Sequence, residues 1–248
     1  MWCRMWAETL ILVAGVSGGA VAAVTGFGIG SLLTPAFALH VDARLAVAAV
    51  SVPHVVGTAF RFWLLGGRAD PRVLWSFGLT SAAGGLAGAL LQARAGTPAL
   101  FVLFGALLLF TAGAELTGLA RRLRFEGPAA WVAGGTSGFL GGLVGNQGGI
   151  RSAALLGIDL QKHVFVGTAT AVGLMVDGAR VPVYLWHMYE PMRGIGGWVL
   201  LATLGVVIGT LLGNRLLVHI PDHLFRRIVA VVLAVLGTAM LVRGVVAR

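Results

Sequence analysis

The chain has 248 residues, 58% of them hydrophobic and 11% charged, with 38 glycines and a formal net charge of +9. Soluble domains carry roughly 25% charged residues, so this composition excludes a soluble enzyme and predicts an integral membrane protein. The only cysteine, Cys3, rules out an intrachain disulfide or a cysteine metal cluster, and the basic residues lie singly or in short groups between apolar segments, which predicts topology signals rather than nucleic-acid binding.

Ten apolar stretches are predicted in chain order. The first, 8–25, follows Arg4 and contains Ala20-Val21-Ala22, which imitates a cleavable signal. A counterpart in the second half predicts a retained first helix instead. It meets a glycine-rich interruption, Gly26-Phe27-Gly28-Ile29-Gly30-Ser31, and then the short stretch 29–40, a half-helix or re-entrant piece by length. Stretches 43–66, 72–93 and 97–119 follow. The 43–66 stretch carries Pro53, His54 and, near its end, Arg61, which is expected to snorkel to the interface. Ala120 to Gly127, with Arg121, Arg122 and Arg124, reads as a hinge. Beyond it come 128–145, a second interruption at Gly145-Asn146-Gln147-Gly148-Gly149-Ile150, the short stretch 148–158, and then 162–186, 194–218 and 222–246.

The two halves align in order. Gly26 and Gly30 match Gly145 and Gly149, Asp42 matches Asp159, Arg61 falls opposite Arg180, and Gly84, Gly88 and Arg94 match Gly205, Gly209 and Arg215. The predicted organisation is an all-α polytopic membrane protein: a first repeat over 1–119, a cytoplasmic hinge over 120–127 and a second repeat over 128–248. Five segments per copy make the copies inverted in the membrane. With the hinge cytoplasmic, Arg68, Arg72, Lys162, Arg215, Arg226 and Arg227 also fall inside, so both termini are expected outside.

Glycine breaks in lipid survive only where protein or a water-filled cavity satisfies the freed backbone, and paired breaks point to a transporter's substrate site. A helix starting after each break directs N–H groups and a positive dipole end inward, the simplest anion site. The candidate substrate-binding residues are therefore Gly26, Gly28, Gly30, Ser31, Gly145, Asn146, Gln147, Gly148, Gly149, Arg151 and Ser152, with Thr34 a further hydroxyl. Arg151 adds a full charge at the start of the second half-helix and needs a counter-ion, either Asp177 or a substrate. Asp177 and Arg180 stand three apart on one helical face. They form an internal ion pair, contact substrate directly, or use Asp177 as a coupling-proton carrier. His54 either faces the cavity or is a satisfied interior histidine. No histidine pair has metal spacing, and no metal or cofactor is expected.

Gly15-Val16-Ser17-Gly18 and Gly135-Thr136-Ser137-Gly138 imitate an intramembrane serine protease motif. Their matching places in the repeat predict helix-packing residues instead.

At its motifs the chain resembles the TauE/SafE sulfite exporter family, also grouped with toluene sulfonate uptake permeases, whose hallmark is a twice-repeated glycine-rich turn. The first copy runs from Gly26 to Thr34 and Pro35. The second runs from Gly145 to Arg151, Ser152, Ala153 and Ala154, with alanine where the family pattern often has proline. The resemblance implies a multi-pass inner-membrane permease that moves sulfite or an organosulfonate by alternating access, with proton coupling as an option. The departures at Asn146, Gln147 and Ala154 leave the exact substrate open. The expected partners are a small sulfur anion and the lipid bilayer, with a homodimer compatible and no nucleic acid. A passive anion channel and a membrane-embedded serine hydrolase are the alternatives.

Overall fold

The computed structural model describes residues 2–65, 67–119, 127–145, 148, 151, 155, 161–216 and 222–246, and no strand occurs among them. Helix α1 (Trp2–Thr25) stops at Gly26, and α2 (Ile29–Ala38) restarts after Gly28. Both glycines hold positive φ, 80° and 131°, which a side chain would strain. At ten residues α2 is only ~15 Å long, half a bilayer. Helix α3 (Ala43–Leu64) is capped by Asp42, whose carboxylate accepts the Arg44 and Leu45 N–H groups at 2.9 and 3.1 Å.

Helix α4 (Pro71–Gln92) opens with a proline behind the Asp70 cap and contains a π-helical turn at Leu74–Gly78. Helix α5 (Thr97–Thr117) ends on left-handed Gly118, and α6 (Pro128–Val144) on left-handed Gly145. Then come α7 (Lys162–Gly194), α8 (Gly196–Leu216) and α9 (Asp222–Val246).

The sequence predicts that α7 stops near 186, yet it runs unbroken to Gly194 through Pro182 and Pro191. Apolarity marks where lipid ends, whereas this helix is extended by packing. Met188 and Met192 lie against Leu45, Val47 and Ala48 of α3. Among the described residues, seven helices are long and apolar enough to cross a membrane: α1, α3, α4, α5, α7, α8 and α9. Their outward faces expose large apolar side chains such as Val13, Leu200 and Val235, as contact with lipid requires. The indoles of Trp63, Trp75 and Trp186 are exposed as well, as anchors at a membrane interface would be.

Two helix pairs are drawn to backbone contact by glycine. Along α1 and α8, a Cβ on Gly19 would overlap the Val206 carbonyl, and one on Gly209 the Val16 carbonyl. Along α4 and α6, a Cβ on Gly84 would overlap the Gly135 carbonyl, and one on Gly138 the Ser81 carbonyl. Helix α5 packs on α9, and α3 on α7 in the middle of the bundle. Arg243 of α9 donates to the Ala38 carbonyl, closing the far end of α2.

Candidate functional site

Helix α3 carries His54, Thr58 and Arg61 on one face, and α7 carries Thr170, Gly173, Asp177, Arg180 and Tyr184 on the face that meets it. The two run antiparallel, since His54 meets Asp177 while Arg61 meets Thr170. At their contact lies a charge cluster closed to solvent. Arg61, Arg151, Asp177 and Arg180 are each at most 3% exposed.

Asp177 is saturated. Its Oδ2 accepts from His54 Nδ1 at 2.7 Å and from the Thr58 hydroxyl at 3.1 Å. Its Oδ1 accepts Arg180 Nε at 3.0 Å and Nη2 at 2.9 Å. Arg180 Nη1 donates to the Gly141 carbonyl at 2.6 Å, and the Tyr184 hydroxyl donates to Gly142. Those carbonyls belong to the last turn of α6, where the Gly141 carbonyl also accepts the Gly145 N–H at 3.0 Å. Asp177 and Arg180 therefore form an ion pair, the first of the three readings open to them, and it also closes the helix that leads into the second glycine break. His54 is the satisfied interior histidine of the two readings open to it.

The other two arginines are not saturated. Arg61 Nε donates to Thr170 at 2.9 Å and Nη2 to the Gly26 carbonyl at 3.3 Å, while Arg151 Nη2 donates to that same carbonyl at 3.1 Å. Among the described residues, Arg61 Nη1 and Arg151 Nε and Nη1 have no hydrogen-bond partner although buried. Each unpaired buried donor costs about 1–3 kcal/mol, and no carboxylate among the described residues pairs with either guanidinium. The expectation that Arg61 snorkels to the interface is wrong. It is 3% exposed because α7 and the end of α1 cover it, and Thr170 and Gly26 supply its contacts.

The breaks touch each other. Gly30 lies so close to the Gly145 carbonyl that a Cβ there would overlap it, and a Cβ on Gly148 would lie 2.8 Å from Phe27 Cγ. The His54 ring edge lies 3.8 Å from the same Gly30 position. Thr34, buried and with its hydroxyl unpaired among the described residues, faces Gly145.

Of the residues predicted from sequence, Gly26, Gly30, Gly145, Gly148, Arg151, Asp177 and Arg180 come together around this cluster. Gly28 caps α2 and accepts the Leu32 N–H at 3.1 Å. Ser31 lines an apolar cavity of about 370 Å³ between α1, α2 and α9. Asn146, Gln147, Gly149 and Ser152 lie outside the described residues, as do Asp159 and most of the hinge. Thr58, Thr170 and Tyr184 are the members that the sequence reading did not name, and Arg61 is the one it placed elsewhere. The spacing of His54, Thr58 and Arg61 on one face was the available signal. Ser17 lines the apolar cavity with no histidine among the described residues of its lining, while Gly15 packs on α8 and Gly138 on α4, so the glycines of both decoy motifs sit in helix packing.

A family model described as Sulfite exporter TauE/SafE matches residues 11–240. No curated protein and no solved structure matches the chain.

Proposed function

Because the chain belongs to the TauE/SafE sulfite exporter family, we propose that this multi-pass membrane protein is a secondary transporter. It moves a small sulfur-containing anion, sulfite or an organosulfonate, across a bacterial-type inner membrane. The single observation that carries this is Arg151. It is a guanidinium 1% exposed at the second glycine motif, with two nitrogens unpaired among the described residues and one holding the carbonyl of the first break. A buried cation left unneutralised is too costly to keep for packing alone. An anion seated there would supply the missing charge and acceptors.

Alternating access about an inverted repeat fits the packing. If α1 corresponds to α6, α3 to α7, α4 to α8 and α5 to α9, the observed pairs exchange under that correspondence. The pair α1 and α8 becomes α6 and α4, while α3 with α7 and α5 with α9 map onto themselves. The seam between α3 and α7 then holds the anion near mid-depth. The cluster is closed to solvent, so helices must part on one side or the other to admit substrate. Asp177, fully engaged, holds the seam together and is assigned a structural role here.

The test is flux of radiolabelled sulfite in proteoliposomes. The proposal expects saturation, acceleration by sulfite on the opposite side, and loss of both in Arg151→Ala that is still folded. Flux that neither saturates nor shows this acceleration would make the protein a passive anion pore. A folded Arg151→Ala with parental flux would remove Arg151 from the site.

A further inference from the structure

Arg61 and Arg151 reach one acceptor from different parts of the chain. Both place Nη2 on the Gly26 carbonyl, at 3.3 and 3.1 Å. A carbonyl carries no charge, so it positions the two guanidiniums side by side without neutralising either. Like charges so close are stable in a buried place only if something else compensates them. Asp177 is not that group, because Arg180 takes one of its oxygens and His54 and Thr58 take the other. Arginine does not shed its proton to relieve the conflict. Among the described residues, the ionisable side chains at the seam are thus Arg61, Arg151, Arg180, Asp177, His54 and Tyr184. With His54 and Tyr184 neutral, their formal charges leave an excess of two positives on the pair whose nitrogens are unpaired.

From this we infer that Arg61 and Arg151 together form a seat for a divalent sulfur oxyanion, the sulfite dianion rather than bisulfite or a monovalent sulfonate. This rests on the anion-transport reading above and narrows it. A dianion brings the excess to zero, whereas a monoanion leaves one cation buried without compensation. The dianion's oxygens accept from Arg61 Nη1 and from one open edge of Arg151, whose Nε and Nη1, like Arg61 Nη1, have no partner among the described residues. Size is restricted on one side. Gly173 lies against Arg151, where a Cβ would come within 3.0 Å of Nη1, and the Thr58 methyl lies beside it. Arg61 is thereby a substrate-binding residue, fixed in place by Thr170 through Nε.

The experiment measures binding to the full-length protein in detergent, by calorimetry, at alkaline pH and at mildly acid pH. The two ligands are sulfite and methanesulfonate. Sulfite changes from dianion to monoanion across that range, and methanesulfonate stays a monoanion, so it corrects for titration of the protein. The expected result is sulfite affinity at least about tenfold higher at alkaline pH. Methanesulfonate should be weak and unchanged. Arg61→Gln, in a preparation with the parent's elution profile and melting temperature, should lose that preference while retaining weak binding of both ligands.

Equal affinity of the parent protein for sulfite and methanesulfonate at alkaline pH would overturn the dianion seat and leave the transport reading standing. Absence of binding by either ligand would overturn both. A folded Arg61→Gln that kept the full preference would also overturn it, and if that variant does not fold, the parent's two-ligand comparison decides alone.

Discussion

Arg180 grips Asp177 with two nitrogens on one oxygen and gives its third to the Gly141 carbonyl. One side chain thus ties α7 to its own neighbouring turn and to the end of α6. Breaking such a buried pair from one side leaves a bare charge, at a cost of about 3–5 kcal/mol. Asp177→Asn and Arg180→Gln should each lower the melting temperature in detergent strongly. The double variant should lose less than the two singles added together, with a coupling of about 1 kcal/mol or more. Additive losses would mean that the pair does not act as a unit.

Gly30→Ala should separate the two glycine breaks. The new methyl meets the Gly145 carbonyl, and a backbone atom cannot rotate away. Overpacking of this kind costs about 1–3 kcal/mol, and sulfite flux should fall with it. Gly113→Ala on α5 is the control, because nothing lies within 4 Å of its Cβ position. That variant should keep parental melting and flux. Normal flux in Gly30→Ala would show that contact between the breaks is dispensable.

The glycine-lined helix pairs give a third expectation. Gly209→Val on α8 and Gly138→Val on α6 each force a branched side chain into a facing carbonyl, of Val16 and Ser81 respectively. Both variants should lose folded yield and melt lower. Detergent-purified protein of parental stability in either case would rule out backbone contact at that crossing.

The placement of arginines predicts both termini outside and the segment between α5 and α6 in the cytoplasm. Reporter fusions at the carboxyl terminus and within 120–127 should give opposite signals. A cytoplasmic carboxyl terminus would remove the inverted arrangement and, with it, the exchange of helix pairs.

The site was legible wherever its cause was local. The glycine breaks announce themselves because glycine is a poor tenant of an apolar helix, and Asp177 with Arg180 because three residues' separation puts both on one face. Arg151 stood out as a charge inside an apolar motif. Arg61 did not, because its burial is decided by Thr170 and Gly26, far away in the chain. From sequence it is merely a cation near a helix end. The continuation of α7 past 186 was hidden for a similar reason. Its support is Leu45 and Val47 on another helix, while its own composition turns polar. The π turn at Leu74–Gly78 has no sequence signal that we identify.

The glycine faces also bear on how the protein is made. Gly15 and Gly19 of α1 meet their nearest partners on α8, around Gly205 and Val206. At roughly 5–20 residues per second, synthesis needs on the order of ten to forty seconds to deliver α8 after α1. During that interval α1 sits in the bilayer with its narrowest face turned to lipid or to a neighbour that is not its own. Helices α4 and α6 are delivered much closer together in time, so their crossing is available well before the one between α1 and α8. The first helix inserted is among the last to be locked, and a membrane chaperone that shields small-residue faces would find its client there.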